Sequence, residues 1–523
     1  MVFPETSSAP GDSGVRLAEL MASLSMATDL AMGQPVEYAL SSSVLAVHLG
    51  AEAGLSEAEL RNVYYQGLLR FIGCNAQTDT MAAVVGDEIG LRSEVAKIDA
   101  GNLAQVMRLS LRFIREANPG ASGLELLRAI ARGLIELGGL ETEMFPGHCE
   151  VAQRLGERLG FAPDFVRGLG QLYARWDGTG VPRLKGEAIE PAVRLVILAQ
   201  DMVTFHRLGG IDAALAVARQ RRAKQYDPAL VDLFLRRGAA LLSGPASEPR
   251  WQSVLALEPG EQRRLSNAEF DHACLALADF ADIKSPWTLA HSKRVSQFAA
   301  DAAAAVGLDA VLLRRAGLLH DVGRVGISAG IWGKPGALSE SQWEKVRLHA
   351  YHTERVLSRS PALATLGRLA SSAHERMDGS GYFRASTGTA IDRPARILAA
   401  ADVYAALTEA RPHRPAHAPE AAVLQIRAEV AAGALDREAA DAVLAAAGHA
   451  PVEQRIARPA GLSGREAEVL GLLSRGNSNK AIARHIGVSP KTVDNQVQSI
   501  YAKAGVRTRA GATLFAMEHG LLG

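Results

Sequence analysis

A histidine-aspartate pair at the end of an apolar run is the feature of this sequence with the clearest chemistry. His320 and Asp321 follow Leu319, and the apolar residues Val311 and Ala316 precede them with helical spacing. This pattern predicts that the pair lies at the C-terminal end of a buried helix. Imidazole nitrogens and carboxylate oxygens bind divalent transition metals, and a helix end inside a core holds them rigidly. An isolated pair of this kind is more often a surface pair or a helix cap. Whether this pair binds metal therefore depends on the residues around it.

Residues of the same ligand chemistry recur on successive predicted helices. Val295 and Phe298 follow His291 with helical spacing, so the three side chains share an inward face. Each further candidate ligand follows about one helix and one loop later. Polar residues that are simply exposed to solvent do not recur at such regular positions on apolar helices. The sequence therefore predicts a buried metal centre formed by His291, His320, Asp321, His349, His374 and Asp402.

The scaffold that positions these residues is predicted to be all-α. The chain has 523 residues, of which 48% are hydrophobic and 5% aromatic, as suits helical cores rich in alanine and leucine. This length predicts roughly three domains. The net charge of +1 gives no global field that would attract nucleic acid or a membrane, so such binding requires a local patch.

Cysteine usage and the amino terminus indicate a cytoplasmic protein. Cys74, Cys149 and Cys274 are sparse, far apart and odd in number, which fits core thiols in a reducing compartment. Residues 1–15 lack the segments of a signal peptide and are expected to be a disordered tail. The sequence has no uninterrupted apolar stretch of membrane-spanning length, so we expect no membrane partner.

Residues 16–244 repeat the pattern of the later segment but lack most of its ligands. His148 and Asp201 stand at the same offset from His349 and Asp402, and both copies carry an Asp-Gly-Ser/Thr-Gly turn. Two remaining ligands are too few to hold a metal cluster. This first copy is either a ligand-sensing or dimerising relic, or a scaffold that completes a shared core. In this first copy Arg70 and Phe71 stand where the second copy has His320 and Asp321. Tyr173 and Ala174 stand where it has His374 and Glu375.

Residues 271–450 resemble the HD phosphohydrolase superfamily and its HD-GYP branch. His291, the His320-Asp321 pair and Asp402 are similar to the four metal ligands of the superfamily. The resemblance implies an all-helical domain that binds iron or manganese and hydrolyses cyclic di-GMP. We expect one or two divalent ions here, and a cyclic dinucleotide or another phosphorylated small molecule as ligand. The motifs typical of the branch are Lys334-Pro335-Gly336, His349, His374-Glu375, Asp378-Gly379-Ser380-Gly381-Tyr382 and Arg411-Pro412-His413-Arg414.

The resemblance also suggests catalytic roles for Asp321, Arg324, Lys334 and Glu375. Arg324 stands where the family has a lysine that faces phosphate, and arginine keeps the charge but changes the geometry. Lys334 either meets a phosphate or is solvated. Glu375 is expected to orient a neighbouring ligand.

Two further positions depart from the family pattern. Ala373 replaces the first histidine of His-His-Glu, so one expected metal ligand is missing. Phe383 replaces the final proline of the Gly-Tyr-Pro signature. His352, one turn after His349, is either a substitute ligand or an ordinary hydrogen-bonded histidine.

The carboxy-terminal segment carries the second signal, a predicted helix-turn-helix. Residues 481–486 form its first helix, Ser489 is a good N-cap for the second, and Pro490 fits the first helical position. Polar side chains, among them Asn495 and Gln496, share one face of the second helix and can read adenine edges in the major groove. From residue 460 onward eight Lys or Arg and four Asp or Glu give a local charge of +4.

Residues 461–523 resemble the four-helix LuxR-type DNA-binding domain. The resemblance rests on residues 462–470, on Ser478-Asn479-Lys480-Ala481-Ile482-Ala483 and on Lys491-Thr492-Val493. It implies duplex promoter DNA as partner, although Asp494 stands at a commonly basic position and Gln496 at one that is commonly histidine. The predicted DNA-binding residues are Lys480, Lys491, Thr492, Val493, Asn495, Gln496, Ser499 and Lys503.

Two functions from different classes fit this organisation. The first is a transcription regulator whose central domain senses a nucleotide or metal, and the residue lost at Ala373 favours it. The second is a working phosphodiesterase whose tail only targets it to DNA, and the retained ligands favour it. We expect a homodimer, with the helix at residues 510–517 as a candidate dimer surface. The predicted order is a tail (1–15), an HD-like domain (16–244), a linker (245–270), an HD-GYP-like domain (271–450), a linker (451–460) and a LuxR-type domain (461–523).

Overall fold

The chain divides into two compact units, residues 1–449 and residues 450–523. The computed structural model describes residues 12–138, 144–244, 251–449, 459–506, 508–519 and 521. Among these residues, no helix combines the length and apolar character that a bilayer crossing needs.

The first unit is almost entirely helical, as the sequence predicts. Its two described strands, β1 (Asp12–Arg16) and β2 (Arg264–Ser266), pair antiparallel. The longest helix, α10, is interrupted by non-helical backbone at Gly209 and Gly210. The described helices are α1 (Leu17–Ala31), α2 (Tyr38–Glu52), α3 (Glu57–Leu69), α4 (Thr78–Val85), α5 (Glu88–Val95), α6 (Leu103–Ala117), α7 (Gly123–Gly138), α8 (Phe145–Arg158), α9 (Pro163–Leu169), α10 (Pro191–Arg221), α11 (Pro228–Ser243), α12 (Trp251–Ala256), α13 (Asn267–Asp282), α14 (His291–Ala305), α15 (Ala310–Leu319), α16 (Ala329–Trp332), α17 (Glu340–Leu357), α18 (Ala364–Ala370), α19 (Arg393–Leu407), α20 (Pro419–Ala431) and α21 (Arg437–Ala446).

One continuous hydrophobic core joins the two halves of this unit. Leu24 and Leu68 from the amino-terminal half belong to the same cluster of buried residues as Phe280, Leu319 and Leu398 from the other half. Because apolar burial is the dominant favourable contribution to folding, the two copies stabilise each other rather than folding around separate cores. This observation favours the scaffold interpretation of the first copy.

Local sequence sets the starts of the helices that carry the candidate site. Asp309 accepts a hydrogen bond from the Leu312 backbone N–H and so caps α15. A reciprocal capping box between Ser339 and Gln342 begins α17. Asp392 caps α19. These caps satisfy backbone donors that would otherwise lack partners, which fixes the register of the ligand-bearing helices.

Regular elements lie within the predicted tail and the predicted first linker. The chain joins the fold at β1, where the Ser13 hydroxyl donates to the Leu265 carbonyl at 2.7 Å. Within the predicted linker, α12 and β2 are regular elements, and Glu258 between them is buried and binds Arg16 at 2.8 Å. Val311 is also 46% exposed rather than buried. Residues 1–11, 245–250 and 450–458 lie outside the described residues.

The internal repeat is visible in matching close approaches of the backbone. Gly73 packs against the His148 carbonyl so closely that an added Cβ would overlap it. Gly323 packs in the same way against the His349 carbonyl. Since no side chain fits at either position, glycine is required in both copies.

In the first copy, the polar side chains that correspond to the candidate ligands of the second copy are hydrogen-bonded to other protein groups. The Tyr173 hydroxyl lies 2.8 Å from His148 Nδ1 and 3.2 Å from Cys74 Sγ. Asp201 accepts hydrogen bonds from Arg221 at 2.9 Å and from the Tyr226 hydroxyl at 2.5 Å. In this copy a guanidinium and two hydroxyls therefore provide the partners for His148 and Asp201 that a bound cation could provide.

The second unit is a four-helix domain, as predicted, with α22 (Gly464–Ser474), α23 (Asn479–Ile486), α24 (Pro490–Ala504) and α25 (Arg509–Glu518). Its core contains Leu470 from α22, Ile482 from α23, Val493 from α24 and Ala512 from α25. Gly487 adopts a left-handed conformation with φ +71° between α23 and α24, which produces the turn of the helix-turn-helix.

Replacing Gly73 tests the shared core. We expect Gly73→Ala to lower the free energy of unfolding by about 1–3 kcal/mol, because the new methyl group has no space. Thermal unfolding followed by circular dichroism measures the loss. Gly336→Ala is the matched control, since nothing lies within 4 Å of a Cβ at that position. Equal melting temperatures for the two variants would contradict this packing.

Candidate metal centre and nucleic-acid interface

The six predicted metal ligands converge in the core of the first unit. His291 begins α14, and His320 with Asp321 follows α15. His349 lies on α17 and Asp402 on α19, while His374 lies in the turn region after α18. All six are buried, with exposures of 9% or less.

Asp321 lies at the centre of this cluster and is shared by two groups of ligand atoms. One group contains His291, His320 and Asp321, and the other contains Asp321, His349 and His374. Within each group the ligand atoms lie within 4.8 Å of one another. One Asp321 oxygen is 3.3 Å from His349 Nε2, and the other is 3.7 Å from His320 Nε2. This arrangement can hold two cations with Asp321 between them.

Asp402 faces the same centre from α19. Its Oδ1 lies 3.2 Å from His291 Nε2 and 3.7 Å from His320 Nε2. Its Oδ2 lies 3.2 Å from His374 Nδ1. Asp402 thus contacts histidines of both groups, which makes it a second carboxylate able to balance the charge of cations.

Hydrogen bonds orient the histidine rings. His291 Nδ1 lies 2.8 Å from Glu409 Oε2, and Arg411 holds the same carboxylate oxygen at 2.9 Å. His320 Nδ1 lies 2.8 Å from the Gly317 carbonyl, and His349 Nδ1 lies 2.5 Å from that of Val346. With Nδ1 occupied as donor, Nε2 of each ring faces the other candidate ligands, as His349 Nε2 does at 2.7 Å from His374 Nε2. This orientation is typical of metal-ligating histidines.

The charges of the two central carboxylates suit metal binding. Burial raises the pKa of Asp321, but nearby His320 and Arg324 outweigh it and hold the pKa well below its usual range. Burial also raises the pKa of Asp402, and His374 lowers it well below the usual range. Both groups are therefore carboxylates at neutral pH.

Two buried polar atoms support the fit of this cluster to divalent metal. His320 Nε2 and Asp321 Oδ1 have no hydrogen-bond partner among the described residues. A buried polar atom without a partner is costly, and cations bound at the two ligand groups would satisfy both atoms. The imidazole and carboxylate donors match those that divalent transition metals prefer, without selecting one metal.

Arg324 occupies the expected position beside the cluster. Its guanidinium binds Asp321 Oδ2 at 2.7 Å and lies 3.7 Å from the centre of the Trp332 ring. The stacking fixes the guanidinium plane, so Arg324 both orients Asp321 and places a positive charge at the centre.

Lys334 and Glu375 do not have the surroundings that the sequence suggests. The Lys334 ammonium donates to Gln342 Oε1 at 2.8 Å, at the capping box of α17. Glu375 accepts hydrogen bonds from the backbone N–H groups of Arg384 and Ser386, each at 2.8 Å. Glu375 therefore holds the loop after Tyr382 rather than orienting a metal ligand, which corrects its predicted role.

His352 and Ala373 lie outside the two ligand groups. Burial and the nearby Arg355 lower the pKa of His352 to about 4, so the ring is neutral. Ala373, which replaces the first histidine of the His-His-Glu motif, is fully buried and offers no ligand atom. The described ligand groups contain neither residue.

An open groove with aromatic walls adjoins the centre. The Tyr382 ring stacks on His374 with centroids 5.1 Å apart. The groove beside it is also lined by Arg347, Tyr351 and Phe383, and the last two rings meet edge to face at 5.5 Å. Aromatic faces and a guanidinium beside a metal centre suit a ligand with flat bases and phosphates.

Sequence reasoning missed Glu409 as part of this site, and it assigned no contact to Trp332 or Tyr382. Glu409 follows Asp402 by seven residues, so helical periodicity carried past the end of α19 gives a weak signal for it. Trp332 and Tyr382 act through ring contacts that no spacing rule encodes.

The second unit presents a polar face of α24 as its candidate nucleic-acid interface. Lys491, Thr492 and Asn495 are exposed there, and Lys480 is exposed on α23. Gln496 is half-buried, and its Oε1 has no hydrogen-bond partner among the described residues. Asn479 donates to Asp494 at 2.6 Å and links the two helices of the motif.

Three predicted DNA-binding residues have other contacts. Val493 is fully buried in the core, so its side chain is not part of the surface. Glu466 accepts hydrogen bonds from the Ser499 hydroxyl at 2.6 Å and from the Lys503 ammonium at 2.7 Å. Ser499 and Lys503 therefore connect α24 to α22, and Val493 packs α24 against the domain core.

Comparisons with known proteins identify the families that the two units match. A family model described as HD domain matches residues 276–439, and one described as bacterial regulatory proteins, luxR family, matches residues 460–516. A 3′3′-cGAMP-specific phosphodiesterase of Vibrio cholerae is 31% identical over 408 residues, which cover 76% of this chain and 88% of that protein. A cyclic di-GMP phosphodiesterase response regulator of Xanthomonas campestris pv. campestris is 35% identical over 158 residues, 29% of this chain and 42% of that protein.

A solved structure shares the fold. The crystal structure of a cyclic GMP-AMP specific phosphodiesterase of V. cholerae (V-cGAP3) superposes with a TM-score of 0.57 and 29% identity. The match covers 84% of this chain and 99% of that one. The chain therefore belongs to the HD-GYP phosphodiesterase family and carries a LuxR-type helix-turn-helix domain at its carboxy-terminal end.

Removing the shared carboxylate tests the metal centre. We expect Asp321→Asn to abolish most metal binding, because both ligand groups lose their common anionic oxygen. Elemental analysis of purified protein by mass spectrometry measures the metal content. His352→Ala is the control and is expected to keep wild-type content. Wild-type metal content in Asp321→Asn would refute the shared ligand.

Glu466 makes the stability of the second unit depend on pH. Burial raises the pKa of Glu466, but bonds with Lys503 and Ser499 outweigh it and lower the pKa to about 2. The carboxylate thus stabilises the fold fully above its ordinary pKa, near 4.5, and this stabilisation disappears as the pH falls towards 2. We expect Glu466→Gln to lower the free energy of unfolding of this domain by about 1 kcal/mol near pH 7 and by much less near pH 2, measured by urea unfolding. A pH-independent difference would contradict the assignment.

Proposed function

We propose that this protein is a cytoplasmic DNA-binding regulator whose first unit binds two divalent cations and hydrolyses a 3′,3′-linked cyclic dinucleotide. The observation that carries the proposal is the buried Asp321 shared by two groups of ligand atoms. The family supports iron or manganese as the ions.

The residues around the centre support phosphodiester chemistry. Divalent cations would supply Lewis acidity at the phosphoryl oxygens. Arg324, whose plane is fixed by Trp332, would bind a phosphate oxygen that approaches from the Asp321 side. The candidate ligands are buried, and burial strengthens these electrostatic contacts.

The identity of the dinucleotide is supported by the relatives and by the groove. A relative that covers most of this chain is named for 3′3′-cGAMP, and a shorter match is named for cyclic di-GMP. The rings of Tyr351 and Phe383 offer stacking surfaces beside the cations. We therefore rank 3′3′-cGAMP first and cyclic di-GMP second.

Turnover assays test the enzyme. The purified protein with Mn²⁺ or Fe²⁺ is expected to linearise 3′3′-cGAMP faster than cyclic di-GMP, measured by chromatography of the products. Asp321→Asn is the inactive control. Faster turnover of cyclic di-GMP would reverse the substrate order.

A metal-loaded receptor without turnover is the second candidate, and the alanine at position 373 favours it. Under this function the protein binds the dinucleotide with both metals present but releases it unchanged. Calorimetric binding together with unchanged nucleotide in the turnover assay would establish the receptor and exclude the enzyme.

The carboxy-terminal domain is proposed to bind promoter DNA as part of a homodimer. Exposed Lys491 and Asn495 supply a phosphate contact and a base contact. Part of the helix that the sequence suggests for dimerisation faces inward, since Ala512 and Ala516 belong to the domain core.

Salt-dependent DNA binding tests this role. We expect Lys491→Ala to weaken binding to random-sequence duplex and to reduce the slope of log K against log salt by about 1. The charge-matched control is Lys345→Ala, an exposed lysine of α17 in the other unit. Fluorescence anisotropy over a range of salt concentrations measures both. An unchanged slope for Lys491→Ala would exclude this lysine from the interface.

A further inference from the structure

A buried carboxylate of the amino-terminal half reaches into the half that holds the metal centre. Glu88, the first residue of α5, accepts a hydrogen bond from the Ala329 backbone N–H at 2.8 Å and from the Ser328 hydroxyl at 2.6 Å. Ser328 and Ala329 begin α16. Glu88 is fully buried. Through these two hydrogen bonds it caps a helix that lies more than 200 residues away in sequence.

Lys284 connects the same carboxylate to the segment after Asp321. Its ammonium lies 3.3 Å from Glu88 Oε1 and donates to the Val325 carbonyl at 2.7 Å. Val325 belongs to the 3₁₀ turn Val322–Gly326, which directly follows Asp321. Since Lys284 is 1% exposed, each charge needs the other, because an unpaired buried charge is strongly unfavourable.

The two elements held in this way are those that orient Arg324. The guanidinium belongs to the 3₁₀ turn, and the Trp332 ring on which it stacks belongs to α16. Glu88 contacts α16 directly and the turn through Lys284. A shift of either element would change the angle at which Arg324 meets Asp321.

Close packing leaves these elements little freedom to move. A Cβ added at Gly330, on α16, would lie 2.7 Å from the Gly86 carbonyl oxygen in the loop before α5. The approach of α16 to the amino-terminal half is therefore set by backbone contact as well as by Glu88.

We infer that Glu88 is a positioning residue of the metal centre, through which the amino-terminal half sets the Arg324–Trp332 pair and thereby the orientation of Asp321. The inference rests on the proposed metal centre but not on turnover. The first copy thus contributes directly to the site of the second, beyond completing the core.

Metal binding and a tryptophan probe together test this role. We expect Glu88→Ala to bind Mn²⁺ about tenfold or more weakly than wild type in calorimetry, the loss typical when a partner of a metal ligand is removed. The chain has five tryptophans, so fluorine NMR of protein labelled with 5-fluorotryptophan resolves them, and Trp332→Phe assigns the relevant signal. The Trp332 signal is expected to shift in Glu88→Ala.

Glu94→Ala is the matched control, because Glu94 lies on the same helix and makes only partly exposed contacts with Lys97 and Arg112. It should leave both the Mn²⁺ affinity and the Trp332 signal unchanged. Wild-type Mn²⁺ affinity in a folded Glu88→Ala would overturn the inference, even if its melting temperature fell. Wild-type protein that takes up no Mn²⁺ would instead overturn the metal centre, and this inference with it.

A second variant covers the case in which Glu88→Ala does not fold. The double variant Glu88→Gln, Lys284→Met removes both buried charges while keeping an acceptor for the Ala329 N–H. It is expected to fold and still to bind Mn²⁺ more weakly than wild type, because the Val325 carbonyl has lost its donor. Wild-type affinity in this variant would overturn the inference.

Discussion

Asp321 is a carboxylate buried in a helical core, and the surrounding structure compensates the cost of placing it there. An ionised carboxylate away from water is unfavourable unless it is paired. Here the four histidines of the two ligand groups, Arg324 and the end of α15 surround it. A pair of cations would complete the compensation, which explains why both ligand groups share this one residue. The rings are oriented by carbonyls and by Glu409, so the cluster is preorganised by the fold.

The two copies of the HD-like pattern meet the same physical problem in different ways. In the second copy His349 and Asp402 face ligand atoms, whereas in the first copy His148 bonds to Tyr173 and Asp201 binds Arg221. The backbone contact that brings the helices together, a glycine against a carbonyl, is the same in both. Fold and chemistry are thus separable: the first copy keeps the packing and satisfies its polar groups internally. It also remains tied to the second by the shared core and by the Glu88–Lys284 contact.

Much of the site could be predicted from sequence because the ligands follow helical periodicity on apolar segments. His291, His320 and Asp402 lie on or directly after the predicted helices. The roles of Glu375 and Val493 could not be predicted, because they depend on which backbone amides or core residues happen to lie nearby. Glu88 was not predictable either, since its partners are more than 200 residues away. The short elements β1, α12 and β2 within the predicted tail and linker were also not predictable, because segments with few residues give little periodic signal.

The central claim is that Asp321 lies between two cations. Crystals grown with Mn²⁺ and measured for anomalous scattering test it most directly. The account predicts two peaks that share Asp321, one beside His291 and His320 and the other beside His349 and His374. A map with fewer than two peaks at these residues, or with peaks away from Asp321, would contradict it.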